Sequence, residues 1–588
     1  MSKTVYPNVN YHSHGRQFRK SGSQIRFRSA RVRLVPLEQA SVTAGLASEG
    51  SKPLASALKW QVAAVVAIGM ALSVMDNTIM SVTLPQMQKA FQTDFETITW
   101  VATIYFLTQA AVIPVAGYLS DRIGSKLVFL GALALFVSGS LLCALSPTKE
   151  ALIASRGLQG IGGGALIPVG TAIVFRIFPP NERGKATAVA GIPILMAPAL
   201  GPSLGGYLST TFDWQAIFVI NIPIGILTLV LAFFVLPGRV FGRAEQMSIL
   251  TAASRQRFDI LGFLLSMAGF AILVYGISEA SSKGWGNQTV LTSLTVGTVL
   301  LIALIGVELL VSDPVMDMRL FKNYTFSVAN ILMMISSAVF YGSLFLLPLF
   351  FENVQGNTSL TTGTFLISQG LGTAVGVLVS GMLYNRVGPR ILTALGLLFL
   401  AAGTYMLTQI DINTTGQSLQ VTLALRGFGA GFFIMHLQTL ALSVVSNKAM
   451  AKASSLLGIL RQVATALGVT GLTTYLVQQT TTHATDLKNA LLEGQKTHQL
   501  SGVAATCAQA GGLKQNLAAI NACVVQHATI TGLTDTFWIA LLLPLACVLL
   551  ALLLGRDPAV EAHKKAKAGG EDEIDPRNSL MRRNHLEM

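Results

Sequence analysis

The stretch Gly117-Tyr-Leu-Ser-Asp-Arg-Ile-Gly-Ser-Lys126 is a short charged segment between two long apolar runs. Its two glycines, together with Asp121, Arg122 and Lys126, predict a tight polar hairpin that joins two hydrophobic helices. A second copy, Gly381-Met-Leu-Tyr-Asn-Arg-Val-Gly-Pro-Arg390, follows far downstream. The recurrence of this hairpin predicts that the chain is built from two related parts.

The composition is that of a membrane protein. Of the 588 residues, 52% are hydrophobic and only 12% are charged, whereas an average soluble protein is about 25% charged. The net charge of +14 comes with no zinc-finger spacing and no RNA-binding aromatic motif, so we expect no nucleic-acid partner. Four scattered cysteines predict no metal site, and the lack of a Gly-x4-Gly-Lys-[Ser/Thr] motif argues against an ATP-driven pump. We do not expect an enzyme.

Apolar runs long enough to cross a bilayer recur along the chain. A spanning helix needs about 20 mostly apolar residues, and fourteen runs qualify as candidates. They lie near 60–80, 100–119, 127–145, 151–175, 186–208, 215–236, 259–278, 290–311, 325–351, 361–384, 391–409, 420–442, 455–477 and 533–555.

The distribution of Lys and Arg predicts the orientation. With the N-terminus inside, the inside segments hold far more of these residues than the outside loops, so we expect both termini in the cytoplasm and an even number of spans. Residues 1–58 lack the apolar stretch of a signal peptide. We interpret them as a disordered basic cytoplasmic arm, although their composition also suits an organellar transit peptide.

The hairpin is not the only repeated motif. Arg156-Gly-Leu-Gln-Gly-Ile-Gly162 recurs as Arg426-Gly-Phe-Gly-Ala-Gly431 at nearly the same offset. Predicted helices 1–6 therefore repeat in the same orientation as helices 9–14, with helices 7 and 8 inserted. Parallel six-helix halves with a site between them are typical of transporters. The predicted parts are a tail 1–58, a first half 59–238, an insertion 239–324, a second half 325–555 with an outer loop 478–532, and a tail 556–588.

Four motifs together resemble those of one transporter family. The first hairpin is similar to the loop 2–3 pattern of the major facilitator superfamily, with Ser125 in place of one basic residue. Three further stretches resemble its 14-helix drug:proton antiporter branch. They are Leu72-Ser-Val-Met-Asp-Asn-Thr-Ile-Met-Ser-Val-Thr-Leu-Pro85, Gly201-Pro202-Ser-Leu-Gly205-Gly206 and Asp213-Trp-Gln-Ala-Ile-Phe-Val-Ile-Asn-Ile-Pro223. The fuller pattern of the second of them, on predicted helix 5, has a glycine where this chain has Ala197.

The resemblance implies an all-α multi-pass protein of the cell membrane with the major facilitator fold. It implies a proton-coupled exporter of hydrophobic or amphipathic small molecules that works by alternating access, with protons as the coupling ion and no other cofactor. Membrane lipids are expected partners, and the long outer loop resembles that of relatives that pair with a periplasmic adaptor protein. Two alternatives are a lipid or fatty-acid exporter on the same fold and a non-transporting membrane receptor.

An ionisable pair is expected within the spans of the first half. Asp76 falls on the outer third of predicted helix 1, and an acid at that depth is a functional hypothesis by default. Arg156, on predicted helix 4, falls at about the same depth and is the natural partner. The resemblance implies that this arginine takes part in proton coupling. The alternatives are an acid that only caps backbone and an arginine that reaches the outer interface.

Two motifs predict conformational roles. The hairpin residues Gly117, Asp121, Arg122, Gly124 and Lys126 predict a cytoplasmic latch. In it, Asp121 docks on the start of predicted helix 13, around Ser454 and Ser455, when the cytoplasmic side is closed, and releases when that side opens. For Gly201, Pro202, Gly205 and Gly206, the resemblance implies a bend that seals the outer end of helix 5; ordinary packing is the alternative.

Polar and aromatic residues at membrane depth are candidates for contact with substrate, although His436 also suits plain packing. Cys507 and Cys523 face an oxidising compartment in this topology and are either paired in a disulfide or two free thiols. The substrate candidates are Tyr105, Gln109, Asn330, Tyr341, Gln369, His436 and Gln438.

Overall fold

The computed structural model describes residues 56–81, 83–179, 182–236, 259–311, 313–497, 502–510 and 517–554. This part of the chain is helical and contains no strand, which confirms the all-α prediction. Most of the predicted tail 1–58, the whole tail 556–588 and the segment 239–258 lie outside the described residues.

Six long helices form the first half, and short helices at Leu84–Ala90 and Ala216–Val219 precede the second and the sixth of them. They are α1 (Ser56–Ser81), α2 (Phe95–Ile123), α3 (Ser125–Ala144), α4 (Lys149–Ile177), α5 (Arg183–Thr211) and α6 (Asn221–Val235).

Local sequence sets where several of these helices begin. Asp94 accepts hydrogen bonds from the backbone N–H of Thr97 at 2.7 Å and from its hydroxyl at 2.8 Å. These bonds hold the pKa of Asp94 below its usual range and cap α2. Gly124 has φ of +98°, a value that favours glycine, and this single residue ends α2 and allows α3 to begin.

Eight further helices complete the bundle, and the last turns of α9 continue as a π-helix, Leu349–Val354. They are α7 (Ile260–Lys283), α8 (Gln288–Leu310), α9 (Tyr324–Pro348), α10 (Ser359–Val387), α11 (Pro389–Leu407), α12 (Gln420–Ser443), α13 (Met450–Thr497) and α14 (Leu517–Leu552).

Each of the fourteen predicted runs coincides with one of these helices. Within the described residues, twelve helices are long and apolar enough to cross a membrane, or thirteen when the bent α5 is counted as one span. Helix α12 is not in that set, because buried polar residues interrupt its apolar sequence. The count of fourteen spans and the cytoplasmic termini stay predictions.

The two halves use the same helix pairings. In the first half α4 packs against α2 and α3, and α1 packs against α5 and α6. In the second half α12 packs against α10 and α11, and α9 packs against α13 and α14. This correspondence is what a parallel repeat produces. The halves meet mainly where α5 lies along α10 and where α2 lies along α13.

The inserted helices lie at the edge of the bundle. Helix α7 contacts both α2 and α13, so it lies across one seam between the halves. Helix α8 packs on α7 and exposes most of its apolar surface, as lipid contact requires. Glu308 on α8 is buried and accepts the backbone N–H of Met316 at 3.0 Å.

The predicted outer loop 478–532 is largely helical. The 48 residues of α13 span about 72 Å at 1.5 Å per residue, well beyond the bilayer core of about 30 Å. A short helix, Gly502–Ala510, packs between the extended ends of α13 and α14. Cys507 and Cys523 form a disulfide there, with 5.4 Å between their Cα atoms. This segment is therefore a helical extension of α13 and α14, in which a disulfide links the short helix to α14.

Candidate functional site

The site is built around Asp76, which is 4% exposed on α1. Arg156 on α4 is fully buried, and its Nη1 donates to Asp76 Oδ2 at 2.5 Å. The structure thus brings together the two residues that the sequence placed at the same depth. A buried charge pair of this kind is stable only while both partners are charged and hydrogen-bonded.

Two amides complete the shell of Asp76. Gln159 Nε2 donates to Asp76 Oδ1 at 2.9 Å, and Asn221 Nδ2 donates to the same oxygen at 2.8 Å. Gln159 also donates to Ser140 Oγ at 2.6 Å and accepts from Arg156 Nη1 at 2.7 Å. The sequence analysis missed these residues. The available signals were that Gln159 lies one turn after Arg156 and that Asn221 belongs to the helix 6 motif.

Tyr105 on α2 holds the arginine from its other face. The guanidinium carbon of Arg156 lies 4.2 Å from the centroid of the Tyr105 ring, and Arg156 Nε donates to the carbonyl of Val101 at 3.2 Å. Tyr105 itself is fully buried and hydrogen-bonded to Ser73. Its place is therefore behind the charge pair, and not in a cavity that could hold substrate.

The second half contains the corresponding arginine without the acid. Arg426 on α12 is fully buried, and its Nη2 donates to Ser343 Oγ on α9. Its Nε and Nη1 have no hydrogen-bond partner among the described residues. Ser343 occupies the place in α9 that Asp76 occupies in α1. Among the described residues, the buried pair of an acid and an arginine at these positions therefore exists in the first half only.

The hairpin differs from the predicted latch. Asp121 Oδ1 accepts from Arg176 at the end of α4, so the acid is bonded within its own half and does not dock on the start of α13. A charged guanidinium is a stronger partner for a carboxylate than a helix terminus, which explains the difference.

Other residues of this region make the contact with the second half. A Cβ built on Gly117 would lie 2.4 Å from the carbonyl oxygen of Ala451 and 2.5 Å from Ser455 Oγ. Ser454 Oγ donates to the carbonyl of Pro168 on α4 at 2.9 Å. Lys452 lies over the Tyr118 ring, 5.2 Å from its centroid. The first half therefore does contact the start of α13, and the backbone of α2 at Gly117 makes the closest of these contacts.

The remaining hairpin cations bond inside the first half. Arg122 Nη1 donates to the hydroxyl of Tyr118 at 2.5 Å. Lys126 Nζ donates at 2.7 Å to the backbone carbonyls of Phe233 and Leu236, at the end of α6. Lys126 therefore ties the hairpin to α6, whereas the bond of Arg122 stays within α2.

The glycine–proline motif lies at a bend of α5. Its two parts, Arg183–Pro198 and Leu200–Thr211, meet at 48°. A Cβ on Gly201 would lie 2.0 Å from Thr78 Oγ1, so α5 and α1 are in contact two residues from Asp76. Gly363 of α10 approaches equally closely to Ser203. Pro202, Gly205 and Gly206 are buried, and the motif lies where α5 packs closely against α1 and α10.

Two cavities lie between the halves. The larger has a volume of about 390 Å³, which includes space open to solvent, and is bounded by α1, α4 and α5 on one side and by α12 and α13 on the other. The smaller, of about 280 Å³, is bounded by α5, α9 and α10. Each is mainly apolar. The polar residues that line them are Thr171, Thr187, Gln438, Arg461, Tyr341, Gln369 and Thr373.

The predicted substrate residues divide into two groups. Gln438 lines the larger cavity, and Tyr341 and Gln369 line the smaller. The other four line neither cavity. Tyr105 supports Arg156, Gln109 Nε2 donates to Ser73 Oγ at 3.1 Å, Asn330 Nδ2 donates to the carbonyl of Phe326 at 2.8 Å, and His436 packs on the Tyr384 ring.

Arg461 was not predicted to belong to the site. Its position in the wall of the larger cavity depends on how α13 faces α4 and α5. A single sequence shows the spacing of residues along α13, and it does not show which of them face the other half.

Comparisons with known proteins agree with this architecture. The sequence model of the Major Facilitator Superfamily matches residues 66–469. The Multidrug resistance protein B homolog of Mycobacterium tuberculosis is 33% identical over 415 residues, 69% of this chain and 74% of that protein. An MFS-type transporter of Bacillus subtilis is 29% identical over 507 residues, 85% of this chain and 93% of that protein. The proton:xylose symporter XylE superposes with a TM-score of 0.56 over 86% of this chain and 99% of that one, at 14% identity.

Proposed function

This chain belongs to the major facilitator superfamily, and on that basis we propose that it is a proton-coupled antiporter that exports hydrophobic or amphipathic small molecules. It is a multi-pass protein of the cell membrane and a transporter rather than an enzyme. A relative that shares 33% identity is named for multidrug resistance, which supports efflux as the direction of transport.

The observation that carries the proposal is the isolated charge pair of Asp76 and Arg156. Asp76 is a buried acid within a spanning helix, and its carboxylate accepts hydrogen bonds from an arginine and two amides. Neutralising the acid with one proton removes the attraction that joins α1 to α4. One proton thereby changes the stability of a contact between two helices that border the larger cavity.

The coupling step follows from this geometry. A proton that arrives from outside binds Asp76, the contact with Arg156 weakens, and the inward-facing arrangement becomes favoured. Release of the proton to the inside restores the pair, and the outward-facing arrangement returns with substrate bound. Alternating access about a site between two halves is the general mechanism for such a fold. The α5–α10 and α2–α13 contacts are the surfaces that must slide or separate.

The second half contributes no competing acid at the corresponding position. Arg426 bonds Ser343, which cannot exchange a proton in this pH range. Coupling is therefore assigned to Asp76 alone. We further propose that the helical extension above α13 and α14, stapled by Cys507 and Cys523, is where a periplasmic adaptor protein would bind.

Proteoliposomes with an imposed pH gradient test the proposal. In wild-type vesicles, adding an exported compound should release protons in step with its movement. Asp76→Asn should remove this coupled proton flux, because the amide cannot exchange a proton. Glu279→Gln is the matched control, since Glu279 pairs with Lys283 near the end of α7, outside the site. Undiminished proton coupling in Asp76→Asn would contradict the assignment. Vesicles that move phospholipid analogues and no other compound would favour the lipid exporter.

A further inference from the structure

The larger cavity contains a charge of one sign only. Arg461 on α13 lines it, and none of the residues that line it is acidic. Arg461 is half-buried and makes no hydrogen bond or ion pair with any residue that the structure describes. A guanidinium with five donors is thus left open toward the space between the halves.

The polar neighbours of Arg461 in the cavity offer no negative charge. Gln438 Nε2 donates to Thr171 Oγ1 across the half interface at 3.3 Å. The hydroxyl of Thr187 donates to the carbonyl of Arg183 at 2.7 Å. These groups are occupied by one another or by backbone. The deep acid, Asp76, is already satisfied by Arg156 and two amides.

We propose, building on the proposed function, that the exported molecules are amphipathic anions whose carboxylate or sulfonate pairs with Arg461. An arginine fork matches a planar carboxylate with two parallel hydrogen bonds. Water exclusion between the halves strengthens that attraction. Met70, Ile194 and Met435 provide the adaptable apolar wall that would contact the body of the molecule.

The smaller cavity extends the apolar part of this site. Adjacent residues of α5 line the two spaces, Ile194 the larger and Leu195 the smaller. Tyr341 on α9 lines the smaller cavity. Phe340 and Tyr341 meet edge to face with ring centroids 5.2 Å apart. An aromatic body next to these rings would leave its acidic group close to Arg461.

A cation would bind poorly in the same place. It would meet the positive charge of Arg461 and find no acid among the residues that line either cavity. The buried Arg426 adds a second positive charge in the same half, and that charge is not balanced by an acid. The selectivity that follows is for anions over neutral molecules, and for neutral molecules over cations.

A matched pair of probes tests this selectivity. The full chain in lipid nanodiscs is titrated with 8-anilinonaphthalene-1-sulfonate and with N-phenyl-1-naphthylamine, which has the same aromatic frame without the acid. Empty nanodiscs give the blank. Arg461→Gln should weaken sulfonate binding by about tenfold or more, the loss of a charge-assisted contact. The neutral amine should bind within about twofold of wild type, since it makes no ion pair.

Three further variants sharpen the result. Arg461→Lys should keep most of the sulfonate affinity. Gln438→Glu places an acid in the same cavity, so it should weaken the sulfonate without removing the arginine. Arg386→Gln removes an exposed arginine and should change neither probe. Sulfonate affinity that survives both Arg461→Gln and Gln438→Glu, or an equal loss for both probes, would overturn the proposal.

The vesicle assay separates the two proposals. Arg461-dependent sulfonate binding without any coupled proton flux would overturn proton-coupled export and leave the anion site standing. Coupled proton flux that responds to the neutral amine, and to the sulfonate equally well in wild type and Arg461→Gln, would overturn the anion site alone.

Discussion

Arg156 and Arg426 occupy corresponding positions in the two halves, and both are fully buried. Arg156 bonds Asp76 and Gln159, whereas Arg426 bonds a serine and leaves two donor nitrogens without a partner among the described residues. The same local sequence, Arg-Gly, therefore supports two different electrostatic environments. Its partner helix, α1 or α9, decides which one forms.

This difference shows that two halves with the same fold can have different electrostatic roles. A buried pair that can gain and lose a proton couples the helices of the first half. An uncompensated guanidinium has no such switch, and it makes the interior of the second half positive. A positive second half and a switchable first half suit an exporter that exchanges protons for anions.

Exchanging the acid between the halves should have the largest effect. Asp76→Ser combined with Ser343→Asp moves the carboxylate from Arg156 to Arg426. We expect coupled proton flux in proteoliposomes to fall to the level of empty vesicles. The reason is that Gln159 and Asn221 donate hydrogen bonds to the carboxylate of Asp76. No equivalent amides lie beside Arg426 among the described residues, and Gly429 stands at the position that corresponds to Gln159.

Ser343→Asp alone is the control for that exchange, because it adds the second pair and keeps the first. It should retain coupled flux. Wild-type coupling in the exchanged protein would show that either half can carry the proton, and the comparison between the two arginines would lose its functional meaning.

Replacing each arginine by methionine should lower the free energy of unfolding by different amounts at the two positions. Arg156→Met leaves Asp76 as a buried charge without its cation, which costs about 3–5 kcal/mol. Arg426→Met removes a charge that no acid balances, so it should change the stability by less than about 1.5 kcal/mol. Thermal unfolding of the purified proteins, followed by tryptophan fluorescence, measures both. Equal losses would mean that Arg426 has a partner outside the described residues.

The contact between the halves can be tested at a single glycine. Gly117→Ala places a methyl group 2.4 Å from the carbonyl of Ala451, so α2 and α13 must move apart. We expect a loss of about 1–3 kcal/mol from this overpacking. Gly131→Ala on α3 is the matched control, since nothing lies within 4 Å of its added methyl group. A spin-label distance between α2 and α13 should lengthen in the first variant only.

The hairpin acid should have the smallest effect. Asp121→Asn weakens the bond to Arg176, at a cost of about 1 kcal/mol. The distance distribution between the halves should shift modestly toward separation, because the end of α4 is less firmly tied to α2. The second hairpin already has an amide at this position, Asn385. No shift in Asp121→Asn would indicate that the contacts of Gly117, Tyr118 and Pro168 with α13 do not depend on the bond between Asp121 and Arg176.

Much of the fold could be predicted from periodicity and composition. The apolar runs predicted each long helix, and the repeated hairpin and arginine motifs predicted two parallel halves. The charge pair could be predicted because Asp76 and Arg156 are rare residues at equal depth in apolar helices. The two amides, Gln159 and Asn221, could not be assigned, since polar residues occur on many helix faces.

The bond between Asp121 and Arg176 could not be predicted, for a similar reason. The sequence shows a conspicuous acid at a helix end, and it does not show that Arg176 arrives there from the far end of α4. The structure of the segment that follows residue 477 was also not predicted in detail. Its Ala- and Gln-rich residues continue α13 as one helix to Thr497.

The sequence by itself determined the membrane class, the helices, the repeat and the presence of an acid within a spanning helix. These follow from hydrophobicity, motif spacing and the cost of burying charge, all of which act locally along the chain. The tertiary structure alone decided which side chains meet. It gave Asp76 two amide donors, gave Arg426 a serine, and left Arg461 open to the cavity between the halves. The rotation of each packed helix sets these contacts, and that rotation depends on residues far apart in the sequence.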